Sequence, residues 1–333
     1  MAKRKIIFEC RIGSHLYGTN SETSDEDYMG VFLPSTEDLL SLKRCPEEWV
    51  QSVKVSTGAR NTAGDVDRKF WSLQRFLQLA SQGQPGALEL FFAPPKMVLT
   101  ETNEWLQIKT MKQVFLSRAA ILPFLKFAAA QAHKASIKGE NLIHLRSLLT
   151  WMKSQSQKTM NMTIGEIGEP EGDHLIFRRF NSEESELSMT LSKSESGAPV
   201  VSIAGRSWDT GSRMKWLCNG LEKLEAKYGS RSEIAAASGH DWKSLSHAYR
   251  LLYEAEELLR EGYISLPLAP HLCRKLIEMK RGNADSRFDF RADLDLQIER
   301  LKDLSDHSFL PETVDLEQIE KLCRTLLLEH LLN

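Results

Sequence analysis

The apolar residues at the start of the chain follow the spacing of short strands. Residues Ile6–Ile12 form an apolar run that ends at Gly13, and Tyr28–Leu33 forms a second run that ends at Pro34. Residues Trp49–Ser56 alternate between polar and apolar side chains, as a half-buried strand does. These three segments predict a small β-sheet in the first part of the chain.

After Leu73 the apolar positions follow the spacing of helices. Helices are predicted over Ser117–Ala135, Asn141–Lys153, Gly211–Tyr228, Trp242–Glu261, His271–Lys280, Phe290–Leu304 and Asp315–Leu332. An inserted hairpin region is expected at about residues 160–205, with β-like pieces at His174–Phe180 and Pro199–Ala204. We therefore predict an α+β fold in which a small mixed sheet domain, residues 1–98, precedes a mainly helical lobe, residues 99–333.

Composition excludes several classes of protein. A chain of 333 residues with 41% hydrophobic and 26% charged residues has enough apolar surface for two folded lobes. The five cysteines are scattered without a Cys-x-x-Cys pair, which argues against a disulfide framework or a zinc site. We find no signal peptide, membrane-spanning run or DNA-binding motif, and the net charge of −2 gives no overall attraction to nucleic acid. We expect a cytoplasmic protein.

The residues that could carry chemistry lie between the first two predicted strands. Gly13-Ser14 is followed, eleven residues after Ser14, by Asp25-Glu26-Asp27. In an extended strand, side chains at positions i and i+2 leave the same face. The carboxylates of Asp25 and Asp27 can therefore converge on one divalent cation while Glu26 points away.

Spacing excludes two other phosphate or metal motifs. A P-loop requires Lys-Ser or Lys-Thr where this chain has Thr19-Asn20. A calcium loop beginning at Asp25 would place Met29 at a ligand position and Thr36 where a bidentate glutamate is required. What remains is a nucleotidyltransferase site, with a Gly-Ser turn for the triphosphate, two carboxylates on one strand and a third on a neighbouring strand.

This patch resembles the polymerase-β superfamily of nucleotidyltransferases, whose pattern is Gly-Ser followed by Asp-x-Asp. Tyr17-Gly18-Thr19 and Ser24-Asp25-x-Asp27-x-x-Gly30-Val31 narrow the resemblance to predicted nucleotidyltransferases of bacteria and phages. Residues Trp71–Phe91 and Asp241–Leu251 also resemble this narrower family. The resemblance implies a palm-like sheet domain that transfers a nucleoside monophosphate from an NTP to a hydroxyl acceptor and releases pyrophosphate.

The resemblance also assigns roles to individual residues. Gly13 and Ser14 would bind the β- and γ-phosphates, while Asp25 and Asp27 would hold two Mg²⁺ ions, with Mn²⁺ as an alternative. Asp67 would be the third carboxylate at the metal site.

The third carboxylate would orient or deprotonate the acceptor hydroxyl. Asp65 would lie on the same strand face as Asp67, so the choice between them stays open. The acceptor also stays open, because an RNA end, a protein or a small molecule would fit the same metal site. The alternative to an enzyme is a non-catalytic nucleotide-binding module with a regulatory or antitoxin-like role.

A basic stripe is predicted on one helix of the second lobe. Lys243, His247 and Arg250 are spaced at i, i+4 and i+7, which brings them to one helix face. Together with the resemblance, this spacing predicts nucleotide or acceptor binding. The basic run Arg274–Arg281 is instead expected to be solvated surface.

Overall fold

The computed structural model describes residues 4–22, 24–43, 45–53, 66–167, 190–194, 197–203, 206–284 and 288–332. The chain divides into two compact units. The first contains Met1–Ala130, Ser246–Arg281 and Asp289–Asn333, and the second contains Gln131–Leu245 and Gly282–Phe288. The predicted domains, residues 1–98 and 99–333, have different bounds from these two units. The division into a catalytic domain and a helical lobe stays a prediction.

The first unit is built on a five-stranded mixed sheet. Its strands are β1 (Lys5–Arg11), β2 (Glu26–Leu33), β3 (Glu48–Val53), β4 (Val66–Ser72) and β5 (Val98–Glu101). The order across the sheet is β3-β4-β2-β1-β5; β2 and β4 run parallel, and the other neighbours are antiparallel. The first three predicted strands are confirmed as β1, β2 and the described part of β3. We did not predict β5, because its four residues are too few to establish a period.

Helices account for most of the remaining described residues. They are α1 (Gly13–Tyr17), α2 (Thr36–Leu40), α3 (Leu73–Ser81), α4 (Pro85–Leu88), α5 (Asn103–Thr110), α6 (Ile121–Lys153), α7 (Gln157–Asn161), α8 (Ile164–Ile167), α9 (Met214–Glu225), α10 (Ser230–Ser238), α11 (Trp242–Glu261), α12 (Pro270–Lys280), α13 (Phe290–Asp306) and α14 (Leu316–Leu332). None of the described helices combines the length and apolar composition needed to cross a bilayer. The predicted fold class, a mixed sheet followed by a mainly helical region, is confirmed.

An aromatic cluster joins the sheet to the helices of the first unit. Phe8 of β1 stacks on Trp105 of α5 with ring centroids 4.0 Å apart. Phe76 of α3 and Phe91 lie 5.2 and 5.9 Å from the same indole. These rings are buried, so their apolar surface contributes strongly to the stability of this unit.

The second unit has its own core and a small sheet. Strands β6 (Thr190–Lys193), β7 (Pro199–Ile203) and β8 (Arg206–Asp209) pair antiparallel in sequence order. The strand predicted over Pro199–Ala204 is confirmed as β7. The β-like piece predicted at His174–Phe180 lies outside the described residues.

Two helices were predicted where the structure has one. Instead of Ser117–Ala135 and Asn141–Lys153, the chain forms the 33-residue helix α6. Gly139, within α6, does not break the helix. A Cβ atom there would lie 2.4 Å from the Ala235 carbonyl oxygen, so this glycine permits close approach of α10.

Gly30 is expected to be sensitive to substitution because β2 has no space for a side chain at this position. An added Cβ would lie 2.4 Å from the Phe8 carbonyl oxygen and 2.6 Å from the Phe70 ring. Gly30→Ala should therefore lower the free energy of unfolding by about 1–3 kcal/mol, as overpacking typically does. Chemical denaturation measures this loss.

Gly86 provides the matched control. The nearest atom to a Cβ at Gly86 is 4.0 Å away, in Trp71, and the residue lies in α4. Gly86→Ala should leave stability unchanged or raise it, because alanine favours a helix by up to about 1 kcal/mol over glycine. Equal losses in the two variants would refute the packing argument.

Candidate active site

The Gly-Ser turn follows β1 directly and is bounded by two glycines. Gly13 has φ +67° and Gly18 has φ +73°, a left-handed conformation that favours glycine. Between them the chain makes the single short helix α1. The Thr19 N–H donates to the Ser14 carbonyl oxygen at 2.8 Å, which closes the turn.

Strand pairing brings two of the predicted carboxylates together. Asp27 on β2 is the register partner of Asp67 on β4. Register partners on adjacent strands share a sheet face and lie about 5 Å apart. These two side chains therefore leave the sheet side by side.

The Gly-Ser turn meets this pair. A Cβ atom added to Gly13 would lie 3.2 Å from Asp27 Oδ2, so the carboxylate directly faces the glycine. The Ile12 N–H also donates to the Asp27 carbonyl oxygen at 2.8 Å. Gly13, Asp27 and Asp67 thus form one cluster at the end of the parallel strand pair.

The direction of the Asp25 side chain is less constrained than the sequence pattern suggested. It lies one residue before β2, which begins at Glu26, so strand alternation does not fix its side chain. Glu26 accepts hydrogen bonds from Arg11 and, at 2.7 Å, from the Tyr28 hydroxyl. Since Glu26 and Tyr28 alternate with Asp27 along β2, this network lies on the opposite face of the sheet.

The Asp27 and Asp67 pair fits a divalent cation by its donor chemistry, since Mg²⁺ prefers carboxylate oxygens. Within the part of the chain that the structure describes, no three His, Cys, Asp or Glu side chains lie close enough together to hold a metal ion. Asp65, the alternative third carboxylate, lies outside the described residues. Metal binding by Asp25, Asp27 and Asp67 stays a prediction.

The predicted basic stripe separates into three different environments. Lys243 is exposed and belongs to the second unit, whereas His247 is half-buried and Arg250 is buried, both in the first. Arg250 Nη1 donates to Glu89 at 2.8 Å and to Glu254 at 2.7 Å. This geometry favours a supporting role for Arg250 rather than the direct nucleotide contact that the helical spacing suggested.

Arg250 supports the Gly-Ser turn through Tyr17. Its guanidinium carbon lies 3.9 Å from the Tyr17 ring centroid, and the Tyr17 hydroxyl donates to Glu89 at 2.6 Å. Burial raises the pKa of the Tyr17 hydroxyl, which therefore stays protonated and acts as a donor. Burial also raises the pKa of Glu254 to about 8. These contacts form a buried polar cluster that holds α1 in place through Tyr17. Its members are Tyr17, Glu89, Arg250 and Glu254.

Sequence reasoning missed one cation beside the turn. Lys280, at the end of α12, donates from Nζ to Thr19 Oγ1 at 2.7 Å. Cys273 on the same helix contacts the Tyr17 carbonyl oxygen through its Sγ at 3.3 Å. The run Arg274–Arg281 was predicted to be solvated surface, because nothing in its spacing relates it to a turn more than 250 residues earlier.

Comparison with known proteins supports this interpretation of the cluster. A family model described as RlaP, the RNA repair pathway DNA polymerase beta family, matches residues 1–188. The chain belongs to the RlaP family. The match includes the Gly-Ser turn, the Asp-x-Asp motif and β4, so it supports a polymerase-β-like nucleotidyltransferase.

One curated relative extends the similarity beyond the region of the RlaP match. It is an uncharacterized 38.9 kDa protein of the nrdC-mobD intergenic region of Enterobacteria phage T4. The two proteins are 28% identical over 275 residues, which covers 79% of this chain and 80% of the phage protein. No solved structure matches.

Proposed function

We propose that this RlaP-family protein is a metal-dependent nucleotidyltransferase. It transfers a nucleoside monophosphate from an NTP to a hydroxyl acceptor and releases pyrophosphate. The observation that carries the proposal is the register pairing of Asp27 with Asp67 beside Gly13. Family membership supports the class of reaction.

The Gly-Ser turn positions the triphosphate. Because Gly13 has no side chain, phosphate oxygens can approach the backbone beside the Asp27 carboxylate. The Ser14 hydroxyl and the N–H groups of the turn donate to the β- and γ-phosphates. His247 and Lys243 are the members of the basic stripe that keep a proposed role in nucleotide or acceptor binding.

Asp25, Asp27 and Asp67 would hold two Mg²⁺ ions, for which Mn²⁺ can substitute. When bound, these ions lower the pKa of the attacking hydroxyl and stabilise the charge on the departing pyrophosphate. The acceptor oxygen forms a bond to the α-phosphorus while the bond from that phosphorus to the β-phosphate oxygen breaks. Asp67 orients the acceptor hydroxyl and accepts its proton.

We propose an RNA end with a free hydroxyl as the acceptor. The family is described by its place in an RNA repair pathway, and this description favours RNA over a protein or a small metabolite. The net charge of −2 implies that RNA binding relies on a local surface rather than on the charge of the whole protein.

The experiment tests RNA, protein and small-molecule acceptors in a single reaction. Purified protein, Mg²⁺ and each α-labelled NTP are incubated with a cell extract that is afterwards separated into RNA, protein and metabolites. The proposal predicts label in RNA, dependent on both Mg²⁺ and Asp27. Label in protein or metabolites would show that the acceptor is not RNA. Tight NTP binding without incorporation would indicate the alternative, a non-catalytic nucleotide-binding module.

A further inference from the structure

One side of helix α9 in the second unit combines aromatic and cationic residues. Trp216, Gly220 and Lys223 are spaced at i, i+4 and i+7, so they lie along one side of the helix. Ala226 keeps helical dihedrals (φ −59°, ψ −18°), and Lys227 therefore continues the line at i+11. Arg213 precedes it by three residues. We call this side, from Arg213 to Lys227, the α9 face; it is about 21 Å long, since a helix rises about 1.5 Å per residue.

Trp216 lies in solvent rather than in the core. Its side chain is 65% exposed, although tryptophan is the largest side chain and has much apolar surface to bury. The opposite side of α9 packs into the core of the second unit through Met214, Leu217, Cys218 and Leu221. The packing of this helix therefore does not account for an indole at position 216.

A second indole lies on the α9 face beside Gly220. A Cβ atom added to Gly220 would lie 2.9 Å from Trp208 Nε1 and 3.4 Å from its Cε2, so the indole takes the space of the missing side chain. Trp208 belongs to β8, the edge strand of the small sheet, and is half-buried. Because Gly220 is one helical turn after Trp216, the two indoles are neighbours along the α9 face.

The charges of α9 are divided between its two sides. Glu222 pairs with Lys153 and Glu225 pairs with Arg146, each at 2.9 Å, so both glutamates of the helix are engaged by cations of α6. Three cations on the α9 face are exposed and form no ion pair with any residue that the structure describes: Arg213, Lys223 and Lys227. The α9 face therefore carries positive charge that is not neutralised by neighbouring acids.

We propose that the α9 face binds single-stranded RNA. The inference rests on the proposed function, which assigns an RNA acceptor without a surface that binds it. Unpaired bases stack on Trp216 and Trp208, because every base has a flat face that an aromatic ring can cover. Phosphate groups contact Arg213, Lys223 and Lys227. Duplex RNA binds less tightly, since its bases are already stacked on one another.

Charge complementarity favours RNA over a protein as the occupant of this face. An apolar protein surface docked on the indoles would take the neighbouring cations out of water without pairing them, which is costly. A strand of RNA instead supplies one phosphate with every nucleotide, so it can neutralise the cations along the whole face while its bases cover the indoles.

The first test measures how tightly the full-length protein binds a fluorescent single-stranded RNA of about 12 nucleotides, within the usual size of single-strand sites. Trp216→Ala should weaken binding about 5- to 100-fold, the effect of losing one stacked base. Trp216→Phe should recover most of the affinity, because it keeps an aromatic ring. Leu296→Ala is the matched control. Leu296 is 69% exposed on α13 of the first unit, and its removal should leave RNA binding unchanged.

The second test separates charge from stacking through the salt dependence of binding. Each phosphate contact with a single strand contributes about 0.7 to the slope of log K against log salt concentration. The double variant Lys223→Gln/Lys227→Gln should therefore lower this slope by about 1.4, whereas Trp216→Ala should leave it unchanged. Lys302→Gln, which removes an exposed lysine paired with Glu299 in the first unit, should also leave it unchanged.

Several results would overturn this assignment. They are unchanged RNA affinity in either Trp216→Ala or the double lysine variant, an equal loss in Leu296→Ala, duplex RNA bound as tightly as a single strand, and no RNA binding by wild-type protein. Thermal unfolding of each variant should match wild-type protein, because the replaced side chains are exposed.

Nucleotide transfer distinguishes failure of this inference from failure of the proposed function. Variants of the α9 face should raise the KM for RNA and leave the KM for NTP unchanged. If wild-type protein labels RNA and all these variants keep its KM for RNA, the proposed function survives and the α9 face is not the RNA site. If the α9 face binds RNA but wild-type protein transfers no nucleotide, the proposed function fails and the RNA site remains.

Discussion

Asp27→Asn is expected to reduce nucleotide transfer about 1000-fold or more while the protein stays folded. A divalent ion held by Asp27, as the proposed function requires, would stabilise transition-state charge by several kcal/mol, and each 1.4 kcal/mol corresponds to a factor of ten in rate. The amide keeps the size of the carboxylate but loses its charge, so packing beside Gly13 is preserved. Incorporation of α-labelled nucleotide measures the rate, and thermal unfolding measures the stability.

Glu26→Gln is the matched control for that prediction. Glu26 is the neighbouring acid on β2, but it leaves the opposite face of the sheet and bonds to Arg11 and Tyr28. Its replacement should change the rate of transfer only a few-fold. If both variants lose activity equally, the loss results from damage to β2, and the assignment of Asp27 to the metal site is wrong.

Arg250→Met is expected to lower the free energy of unfolding by about 3–5 kcal/mol, because it leaves buried carboxylates without their partner. Glu254 is 0% exposed and Glu89 is 4% exposed, so water cannot replace the guanidinium. Adding Glu254→Gln should recover part of the loss, because it replaces one of the two buried carboxyl groups that lose the guanidinium with a neutral amide. Urea unfolding of both single variants and of the double variant measures the interaction free energy between Arg250 and Glu254.

Arg300 supplies a surface pair of the same length for comparison. Arg300 Nη2 lies 2.7 Å from Glu256 Oε1, as Arg250 Nη1 lies from Glu254 Oε1, but the Arg300 side chain is 61% exposed. Arg300→Met should have little effect, since solvent screens exposed ion pairs. Similar losses for Arg250→Met and Arg300→Met would mean that the buried cluster does not stabilise the first unit.

Local sequence was sufficient to predict two of the strands that carry the candidate site. The apolar run before Gly13 predicts β1, and the run that ends at Pro34 predicts β2. Strand alternation predicted the face on which Asp27 lies, whereas Asp67 was chosen through the resemblance to the polymerase-β superfamily. The strand predictions succeeded because apolar runs and strand alternation depend on residues close together in the chain.

Contacts between distant residues could not be predicted in the same way. Helical spacing showed that Arg250 shares a face with His247, but not that Glu89 lies opposite it, 161 residues away in sequence. Lys280 and Thr19 are separated by 261 residues, so their contact leaves no local pattern. The continuity of α6 through Gly139 could not be predicted either, because the close approach of Ala235 depends on packing within the second unit.

The most direct test of the account uses a defined RNA with a free 3′ hydroxyl, α-labelled NTP and Mg²⁺. Wild-type protein should add labelled nucleotide and release one pyrophosphate for each nucleotide added. Both products should vanish together in Asp27→Asn and persist in Glu26→Gln. Label transfer that persists in Asp27→Asn, or pyrophosphate release without label in any acceptor, would contradict the assignment of this site.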